Sequence, residues 1–305
     1  MASTLPISVI VPHLNQSEAL GCCLRSLAAQ TGLFDLAEVI VVDNGSHVLP
    51  HDVCARFPGV RLLAELTPGP GPARNTGVGA SSGAILAFVD ADCVADAGWL
   101  AAITRIFASD PQVGILGGAV FIPRATERRT TALEAYEMVY AYRMDKYISQ
   151  QGFTGAGNLA VRREVFEAVG PFGGVAISED RDWGLRATGL GHAIRYVPDM
   201  VVYHPARTSF DALQLKWDRH IAHDFNRLRD KFLWRPRTFL RAIAVGLSPL
   251  AEIPKLLLTS RLIGLRERGL AFMCLFRIRL HRARRMIGLI ASDSEAELLS
   301  RWNRN

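Results

Sequence analysis

The chain of 305 residues has few cysteines, and their arrangement is not that of a disulfide-rich or zinc-stabilised small domain. There are five, at positions 22, 23, 54, 93 and 274, an odd number with no CxxC spacing. Such a set argues against a disulfide framework and against a structural zinc site. We therefore expect a chain that folds around an apolar core, in a reducing compartment such as the cytoplasm.

Long uncharged apolar runs are also missing from the sequence. The first 15 residues contain no basic segment, and their apolar run, 7–11, is too short for a secretory signal. The most apolar C-terminal stretch, 239–258, contains Arg241, Glu252, Lys255 and two prolines. A membrane-crossing helix needs about 20 predominantly apolar residues. We expect neither a signal peptide nor a clean transmembrane helix.

Composition and charge predict a globular protein with two different parts. Hydrophobic residues make up 49% and charged residues 21%, without repeats or low-complexity runs, which excludes disordered and solenoid classes. Residues 231–305 carry a net charge of +10, whereas residues 1–230 carry −4. We therefore predict a first domain over 1–230 and a basic, amphipathic helical region over 231–305.

The basic C-terminal region mixes arginines with many apolar residues. This mixture favours helices that lie in a membrane interface and are attracted to anionic lipid. The alternative is an ordinary amphipathic subdomain that packs on the core or forms a homodimer. Nucleic acid is disfavoured as a partner, because phosphate binding makes no use of so many Leu, Ile and Phe side chains.

Strand-like and helical segments alternate through the first half of the chain. Apolar segments at 7–12, 38–43, 60–65, 84–90 and 113–122 read as strands, and segments with helical spacing separate most of them. This alternation predicts an α/β domain with a mainly parallel sheet. Beyond Pro123 the pattern changes, and residues 124–151 read as a polar helix rich in tyrosine.

Two of the predicted strands end in aspartate. Asp43 begins "DNGS", and Asp90 and Asp92 form "DAD". Because ligands bind outside the carboxyl ends of strands in open α/β sheets, these carboxylates should lie on one edge. Asp90 and Asp92 suit a hard cation, Mg²⁺ or Mn²⁺, which usually needs a phosphate partner. Alternatively each acid is only a turn or cap residue.

A larger set of motifs resembles the family 2 glycosyltransferases with the GT-A fold. In order along the chain they are "ISVIVPHLN", "VVDNGS", "GPARNTG", "FVDAD", "GAGNLAVRREVFEAVGPF" and "SEDRDWGLR". The resemblance covers about residues 7–205 and implies a GT-A type, Rossmann-like domain with a mainly parallel sheet. It also implies that the domain over 1–230 is the catalytic one. His13 and Asn44 depart from the residues common in that family, and both lie at the end expected to bind the nucleobase.

The resemblance implies a role for each matching residue. Those expected at the donor nucleotide are Pro12, Asn15, Asp43, Arg74 and Asp90. Asp92 is expected to bind the metal, Mn²⁺ or Mg²⁺, and His204 is a further candidate ligand whose alternative is a partly buried strand-end histidine. Asp180 is expected to be the catalytic base, with Glu179 beside it. Without the resemblance, "SED" would be read as a helix cap with two acids.

Three further residues are expected on the acceptor side, namely Gly157, Asn158 and Trp183. For Trp183, packing in the core is the alternative to stacking on a sugar ring.

The function expected from these observations is inverting transfer of a sugar from a nucleotide-sugar donor. Among such donors, a UDP-sugar is the one we expect first. The acceptor is a saccharide or a lipid-linked sugar in the synthesis of cell-surface glycans, and the expected location is the cytoplasmic face of the cell membrane. The alternatives are a nucleotidyltransferase and a non-catalytic nucleotide-sugar-binding protein. A nucleotidyltransferase would usually show a Gly-rich, basic loop after the first strand, where this chain has "PHLNQSEA".

Overall fold

The computed structural model describes residues 6–30, 37–124, 129–175, 177–229 and 231–292. The chain forms two compact units. Unit 1 comprises Met1–Phe121 and Tyr142–Pro205, and unit 2 comprises Ile122–Ala141 and Ala206–Asn305. These two units are defined by how the chain packs. The predicted division into a catalytic domain, 1–230, and a basic helical region, 231–305, is a division by function and stays a prediction.

Unit 1 is built on an eight-stranded sheet. Its strands are β1 (Ile7–His13), β2 (Ala37–Asp43), β3 (Val60–Ala64), β4 (Ile85–Val89), β5 (Val94–Ala95), β6 (Ile115–Phe121), β7 (Asn158–Arg162) and β8 (Ile194–Tyr203). The strand order is β3-β2-β1-β4-β7-β6-β8-β5. Strands β3, β2, β1 and β4 run parallel, β6 is parallel to β8, and β7 and β5 pair antiparallel to their neighbours. The predicted α/β fold with a mainly parallel sheet is confirmed.

Helices cover both faces of this sheet, which explains why β1 is mostly apolar and is buried along its whole length. The helices of unit 1 are α1 (Ser17–Ala28), α2 (His51–Cys54), α3 (Pro70–Ala80), α4 (Trp99–Ser109), α6 (Met144–Lys146), α7 (Arg163–Val169) and α8 (Glu179–Gly189). Val9 and Val11 belong to one core cluster with α1 and α4, whereas Ile10 belongs to another with α7 and α8. Side chains alternate between faces along a strand, so one strand contributes to both clusters.

The parallel strands bring their carboxyl ends to one edge of the sheet. His13 at the end of β1 is directly opposite Asp43 at the end of β2. Strand β4 pairs with β1 in the same direction, and Asp90 follows its last residue. Asp43, Asp90 and Asp92 therefore follow strands that end at the same edge, as the sequence predicted.

Unit 2 is helical over the residues that the structure describes. Its helices are α5 (Ala132–Tyr140), α9 (Phe210–Leu228), α10 (Trp234–Ala251), α11 (Ile253–Leu258) and α12 (Gly264–Ser292). Helix α10 packs against α12 along a buried face formed by Ala242, Val245 and Pro249. The expected C-terminal helical region is thus present.

The prediction of one tyrosine-rich helix over 124–151 is wrong. Helix α5 ends at Tyr140, and Tyr142 has a positive φ of 49°, which an α-helix does not allow. The chain then forms α6 and a π-helical turn, Tyr147–Gln151. Helical spacing of tyrosines alone did not reveal this break.

Among the described helices, none combines the length and the apolar character that crossing a bilayer requires.

Candidate active site

A buried histidine and aspartate join the ends of β1 and β2. His13 Nδ1 lies 2.9 Å from Asp43 Oδ1, and His13 Nε2 accepts a hydrogen bond from the Gln16 backbone N–H. Since Nε2 is an acceptor, Nδ1 carries the proton and donates to Asp43. Asp43 Oδ2 accepts from the backbone N–H groups of Gly45 and Ser46. The histidine and the "DNGS" turn therefore hold this carboxylate in one orientation.

Asp43 remains ionised in this environment. Burial acts to raise its pKa, but hydrogen bonds from Ser46 and His13 outweigh burial, and the pKa is lowered from its usual value. The residue is only 1% exposed. Its observed contacts organise the loop, and its predicted contact with a nucleobase stays a prediction.

Asn15 and Asn44 connect the neighbouring loops. Asn15 has a φ of 53°, its N–H donates to Ser46 Oγ, and its Oδ1 accepts from the His47 N–H. Asn44 Nδ2 donates to two backbone carbonyls, and its Oδ1 accepts from the Gly69 N–H. An aspartate at position 44 could not donate, which gives a physical reason for this departure from the family pattern. Pro12 is buried within β1.

Arg74 connects two acids that are far apart in the sequence. Its Nη2 donates to Asp90 Oδ1 at 2.6 Å, and its Nη1 donates to Glu179 Oε1 at 3.0 Å. Gly157 makes room for this arrangement, since a Cβ at that position would lie 2.4 Å from Asp90 Oδ2. The bridge joins "DAD" at the end of β4 to the "ED" pair at the start of α8.

The Arg74 guanidinium is charged and only 3% exposed. Burial acts to lower its pKa, but Asp90 and Glu179 outweigh burial and raise it. Its Nε is buried and has no hydrogen-bond partner among the described residues. The family resemblance predicts Arg74 beside the nucleotide. It does not predict that the Arg74 side chain bridges Asp90 and Glu179.

Asp92 and His204 form a pair that suits a divalent cation. His204 Nε2 lies 3.4 Å from Asp92 Oδ2, and the Tyr142 hydroxyl lies 2.9 Å from the same nitrogen. His204 Nδ1 lies 2.7 Å from the Pro205 carbonyl oxygen, so this nitrogen carries the proton and Nε2 has the lone pair. A histidine that donates its other N–H to a carbonyl is the usual arrangement of a metal ligand.

The ligating atoms of Asp92, Cys93 and His204 lie within 4.8 Å of one another. Burial raises the pKa of the Cys93 thiol well above its ordinary value, and a soft sulfur ligand is a poor match for a hard cation such as Mn²⁺ or Mg²⁺. The carboxylate of Asp92 and the imidazole of His204 are the members of this group that suit such an ion. Such a site leaves positions for water and phosphate oxygens, as Mn²⁺ and Mg²⁺ require, and the residues fit the predicted metal.

Asp180 is held by its own helix start. Its Oδ1 accepts hydrogen bonds from Ser178 Oγ at 3.0 Å and from the Arg181 N–H at 2.7 Å. Ser178 therefore binds the acid and does not cap α8 with its side chain. The other oxygen, Oδ2, faces the glycine-rich loop, because a Cβ at Gly155 would lie 3.8 Å from it. Burial, and then the charge of Glu179, raises the pKa of Asp180 to about 6.

Comparison with known proteins identifies the family to which this arrangement belongs. The family model described as "Glycosyl transferase family 2" matches residues 8–170. Glycosyltransferase AglE of Haloferax volcanii is 37% identical over 215 residues, which are 68% of this chain and 69% of AglE.

The chain belongs to glycosyl transferase family 2.

It is a glycosyltransferase by enzyme class, and the resemblance stated from the sequence is confirmed. A more distant relative, the pre-mycofactocin glycosyltransferase of Mycobacterium tuberculosis, is 28% identical over 210 residues, 66% of this chain and 43% of that protein. The fold resembles the mannosyltransferase PcManGT from Pyrobaculum calidifontis, with a TM-score of 0.57 and 19% identity over 99% of this chain and 88% of that one. The PcManGT structure is a complex with GDP-Man and Mn²⁺.

Two of the residues expected on the acceptor side of this glycosyltransferase are buried. Asn158 is 0% exposed; its Nδ2 donates to the Ala119 and Met200 carbonyls, and its Oδ1 accepts from Trp99 Nε1. Trp183 is 1% exposed, and its ring packs in a core cluster. The structure thus favours packing for Trp183 and a structural role for Asn158. Gly157 adjoins Asp90, as described above.

We expect Asn158→Ala to destabilise unit 1. The change leaves the Trp99 N–H and two buried carbonyls without partners, and each such group costs about 1–3 kcal/mol. The free energy of unfolding should therefore fall by about 3 kcal/mol or more, as measured by urea denaturation. Ser109→Ala, which removes one hydroxyl from the end of α4, serves as the control. An Asn158→Ala protein of unchanged stability but reduced acceptor affinity would contradict this structural role.

The raised pKa of Asp180, together with the base role expected from the resemblance, predicts an acid limb in the pH profile. A general base acts only when ionised, so kcat/KM should fall as the pH drops through about 6. Glu179→Gln removes a charge that raises this pKa, so the remaining activity should show its acid limb at lower pH. The measurement is kcat/KM from pH 4.5 to 8.5 for both proteins. An acid limb near 4 in the wild type would argue against Asp180 as the base.

Proposed function

We propose that this family 2 enzyme transfers a sugar with inversion, from a nucleoside diphosphate donor to a hydroxyl of a saccharide or lipid-linked acceptor. The observation that best supports this proposal is in unit 1, where Arg74 forms ion pairs with both Asp90, the first acid of "DAD", and Glu179 of the "ED" pair. Because Asp92 follows Asp90 by two residues, the same bridge relates the predicted metal ligand to the predicted base.

The donor is expected at the carboxyl edge of β1, β2 and β4. In this proposal the loops ordered by Asn15 and Asp43 contact the nucleobase, with Pro12 in the strand beneath. Arg74 and Asp90 contact the ribose and the start of the diphosphate. The guanidinium is well placed for this role because its Nε is not used by any of the described residues.

The diphosphate leaves as an anion, and its charge has to be neutralised. Asp92 and His204 would hold Mn²⁺ or Mg²⁺, and the bound ion would supply electrostatic stabilisation of the leaving diphosphate. His204 is oriented for this by its contacts with Tyr142 and the Pro205 carbonyl. The Mn²⁺ in the PcManGT complex supports the choice of a divalent ion.

Asp180 completes the chemistry as the general base. Its Oδ2 accepts the proton of the acceptor hydroxyl while the acceptor oxygen bonds to the anomeric carbon and the bond to the diphosphate oxygen breaks. A single displacement of this kind inverts the anomeric configuration. Glu179 is held by Arg74, and its charge contributes to keeping the pKa of Asp180 near the working pH range.

A thermal-shift screen tests the donor site directly. UDP, GDP and their sugars should be compared with Mn²⁺, with Mg²⁺ and with EDTA. We expect one nucleotide to stabilise the protein with metal and to lose most of that effect in EDTA. A UDP-sugar is our first expectation, and GDP is included because the PcManGT structure contains GDP-Man. No metal-dependent stabilisation by any nucleotide would contradict the proposal.

The stereochemical claim needs its own readout. With the active donor, NMR of the product should show an anomeric configuration opposite to that of the donor. Retention of configuration would disprove the single-displacement role given to Asp180 even if the donor site is right.

We further propose that residues 1–230 carry the transfer and that residues 231–305 hold the enzyme at the cytoplasmic face of a membrane. Helix α10 exposes a row of apolar side chains at helical spacing, formed by Leu240, Ile243, Leu247 and Leu250. The exposed apolar residues continue in and after α11 with Ile253, Leu257, Leu258, Ile263 and Leu265. A face of this size, in a region of net charge +10, suits an anionic lipid surface.

Charging this row should release the protein from anionic vesicles. Leu240 and Leu247 are 65% and 64% exposed, so their replacement leaves the core intact. We expect the double variant Leu240→Glu/Leu247→Glu to bind vesicles of anionic phospholipid at least about 10-fold more weakly in sedimentation. Leu66→Glu, at a position in unit 1 that is 85% exposed, is the control. If the double variant binds as the wild type does, another surface makes the contact, or the row belongs to a homodimer interface.

A further inference from the structure

The face of α8 that carries Asp180 lies against the chain segment 153–155. Asp180 and Gly184 are four residues apart on α8 and therefore lie on the same face of the helix. A Cβ at Gly184 would lie 2.6 Å from Phe153 Cβ, and a Cβ at Gly155 would lie 3.8 Å from Asp180 Oδ2. Phe153 therefore lies beside α8, one helical turn from the predicted base.

Phe153 forms an aromatic pair with Tyr147. The two ring centres are 5.2 Å apart, and the rings are nearly parallel, with an angle of 8° between them. Tyr147 begins the π-helical turn Tyr147–Gln151, and such turns are frequent at functional sites. Burial raises the pKa of the Tyr147 hydroxyl, and the charge of Asp180 adds to the rise, so the two side chains are close enough to interact. Both rings are half-buried, which leaves part of each open to a ligand.

Arg181 is a half-buried cation that lies beside the same aromatic pair. Its guanidinium carbon lies 5.7 Å from the centre of the Phe153 ring. Its Nε is buried and has no hydrogen-bond partner within the described part of the chain. A buried polar group without a partner is rare in a native protein and calls for an explanation.

The neighbouring acids do not neutralise Arg181. The acids of α6 and α8 that form ion pairs do so with other arginines: Glu179 with Arg74, Asp182 with Arg186 and Asp145 with Arg143. Asp180 accepts a hydrogen bond from the backbone N–H of Arg181, but not from its guanidinium. Among the described residues the Arg181 side chain has no ion pair, so its guanidinium N–H groups are available to a ligand.

We propose that Tyr147, Phe153 and Arg181 form the acceptor subsite, and that the acceptor is a sugar with an anionic group. The aromatic pair holds the sugar ring by stacking, and Arg181 donates hydrogen bonds to a phosphate or carboxylate of the acceptor. Arginine suits either anion because its planar fork donates two parallel hydrogen bonds. The inference rests on the proposed role of Asp180 as the base, since one face of α8 then carries the base and the acceptor contacts.

The test titrates sugars into the full chain loaded with Mn²⁺ and the nucleotide from the donor screen, so that sugar phosphates cannot enter the donor site. Glucose, galactose and mannose are compared with their 1-phosphates and with the corresponding uronic acids by isothermal titration calorimetry. We expect one anionic class to bind at least about 10-fold more tightly than the neutral sugars. Preference for the 1-phosphates identifies the phosphate of a lipid-linked acceptor, and preference for the uronic acids identifies an acidic saccharide.

Substitutions at Arg181 and Tyr147 separate the guanidinium from the aromatic ring. Arg181→Met should weaken binding of the anionic sugar at least about 10-fold and leave binding of the neutral sugar unchanged, and Arg181→Lys should recover part of the loss. Tyr147→Ala should weaken both. Arg105→Met removes an exposed arginine of unit 1 and, as the matched control, should bind both sugars as the wild type does. A merely structural role of Arg181 would weaken the two sugars alike.

Three results would overturn the proposal: neutral sugars that bind as tightly as anionic ones, equal affinity of Arg181→Met and the wild type, or no binding of any of these sugars. The thermal-shift response to nucleotide and Mn²⁺ is measured separately, and Arg181→Met should keep it, which shows that the variant is folded. If that response is present and the sugars do not bind, this inference is wrong and the proposed donor site stands. If the response itself is absent, the proposed function is contradicted first.

Discussion

Asp180→Asn is expected to lower the rate of transfer by about 10³-fold while leaving the protein folded and at least as stable. The amide oxygen can still accept the hydrogen bonds from Ser178 and Arg181, so the start of α8 keeps its geometry. What the variant loses is the ability to take a proton from the acceptor hydroxyl. The measurement is kcat/KM with the donor found in the screen.

The stability part of this prediction has a definite sign. The folded-state pKa of Asp180, about 6, lies above the ordinary value of 3.8. The unfolded chain therefore ionises first as the pH rises, and the ionised group destabilises the native state above about pH 4. Asp180→Asn removes this cost, so its thermal midpoint at pH 8 should equal or exceed that of the wild type. The difference should shrink as the pH falls toward 4.

Asp199→Asn is the matched control for Asp180→Asn. Asp199 is an exposed residue of unit 1 that pairs with Arg105 on the surface, where such pairs contribute little stability. It should retain both activity and stability. An Asp180→Asn enzyme with wild-type kcat/KM would refute its assignment as the base, and one that is inactive only because it unfolds would leave the residue with a structural role.

Asp92→Asn should abolish the metal-dependent part of nucleotide binding and lower transfer by about 10²-fold or more. The amide has no charge and is a poor ligand for a hard cation. The readout is the thermal shift with nucleotide and Mn²⁺, compared with the shift in EDTA. His204→Gln should weaken the same response to a lesser extent, since it keeps the carboxylate.

The control for Asp92→Asn is again Asp199→Asn, which lies outside the proposed site. The nucleotide should still bind to Asp92→Asn without metal, at the affinity that the wild type shows in EDTA. Undiminished stabilisation by Mn²⁺ and nucleotide in Asp92→Asn would remove this residue from the metal site.

The positions of the strand-end acids could be predicted from the sequence because they depend on local patterns. Uninterrupted apolar runs predict buried parallel strands, and an acid directly after such a run must lie at the carboxyl edge. Asp43, Asp90 and Asp92 follow this rule. The alternation of such strands with helical segments also predicted the fold class, and the mixture of arginines with apolar residues predicted the helical C-terminal region.

The connections between distant segments could not be predicted in the same way. Arg74 and Glu179 are 105 positions apart, and the contact of α3 with α8 and the close approach of Gly157 to Asp90 bring the site together. Asn158 and Trp183 were predicted to contact the acceptor, and the structure buries both of them. Their polar and aromatic groups suggested ligand contacts, but neighbouring strands and loops bury both residues and use their hydrogen-bonding atoms.

A crystal structure of the enzyme with Mn²⁺ and the nucleoside diphosphate from the screen would test the central claim most directly. The claim is that one edge of the unit 1 sheet binds the metal and the diphosphate between Asp92 and the Arg74 bridge. The predicted result is an anomalous manganese peak within about 2.4 Å of a carboxylate oxygen of Asp92, with the diphosphate beside it. A manganese peak and nucleotide bound elsewhere, with Asp92 and His204 in contact with neither, would contradict the claim.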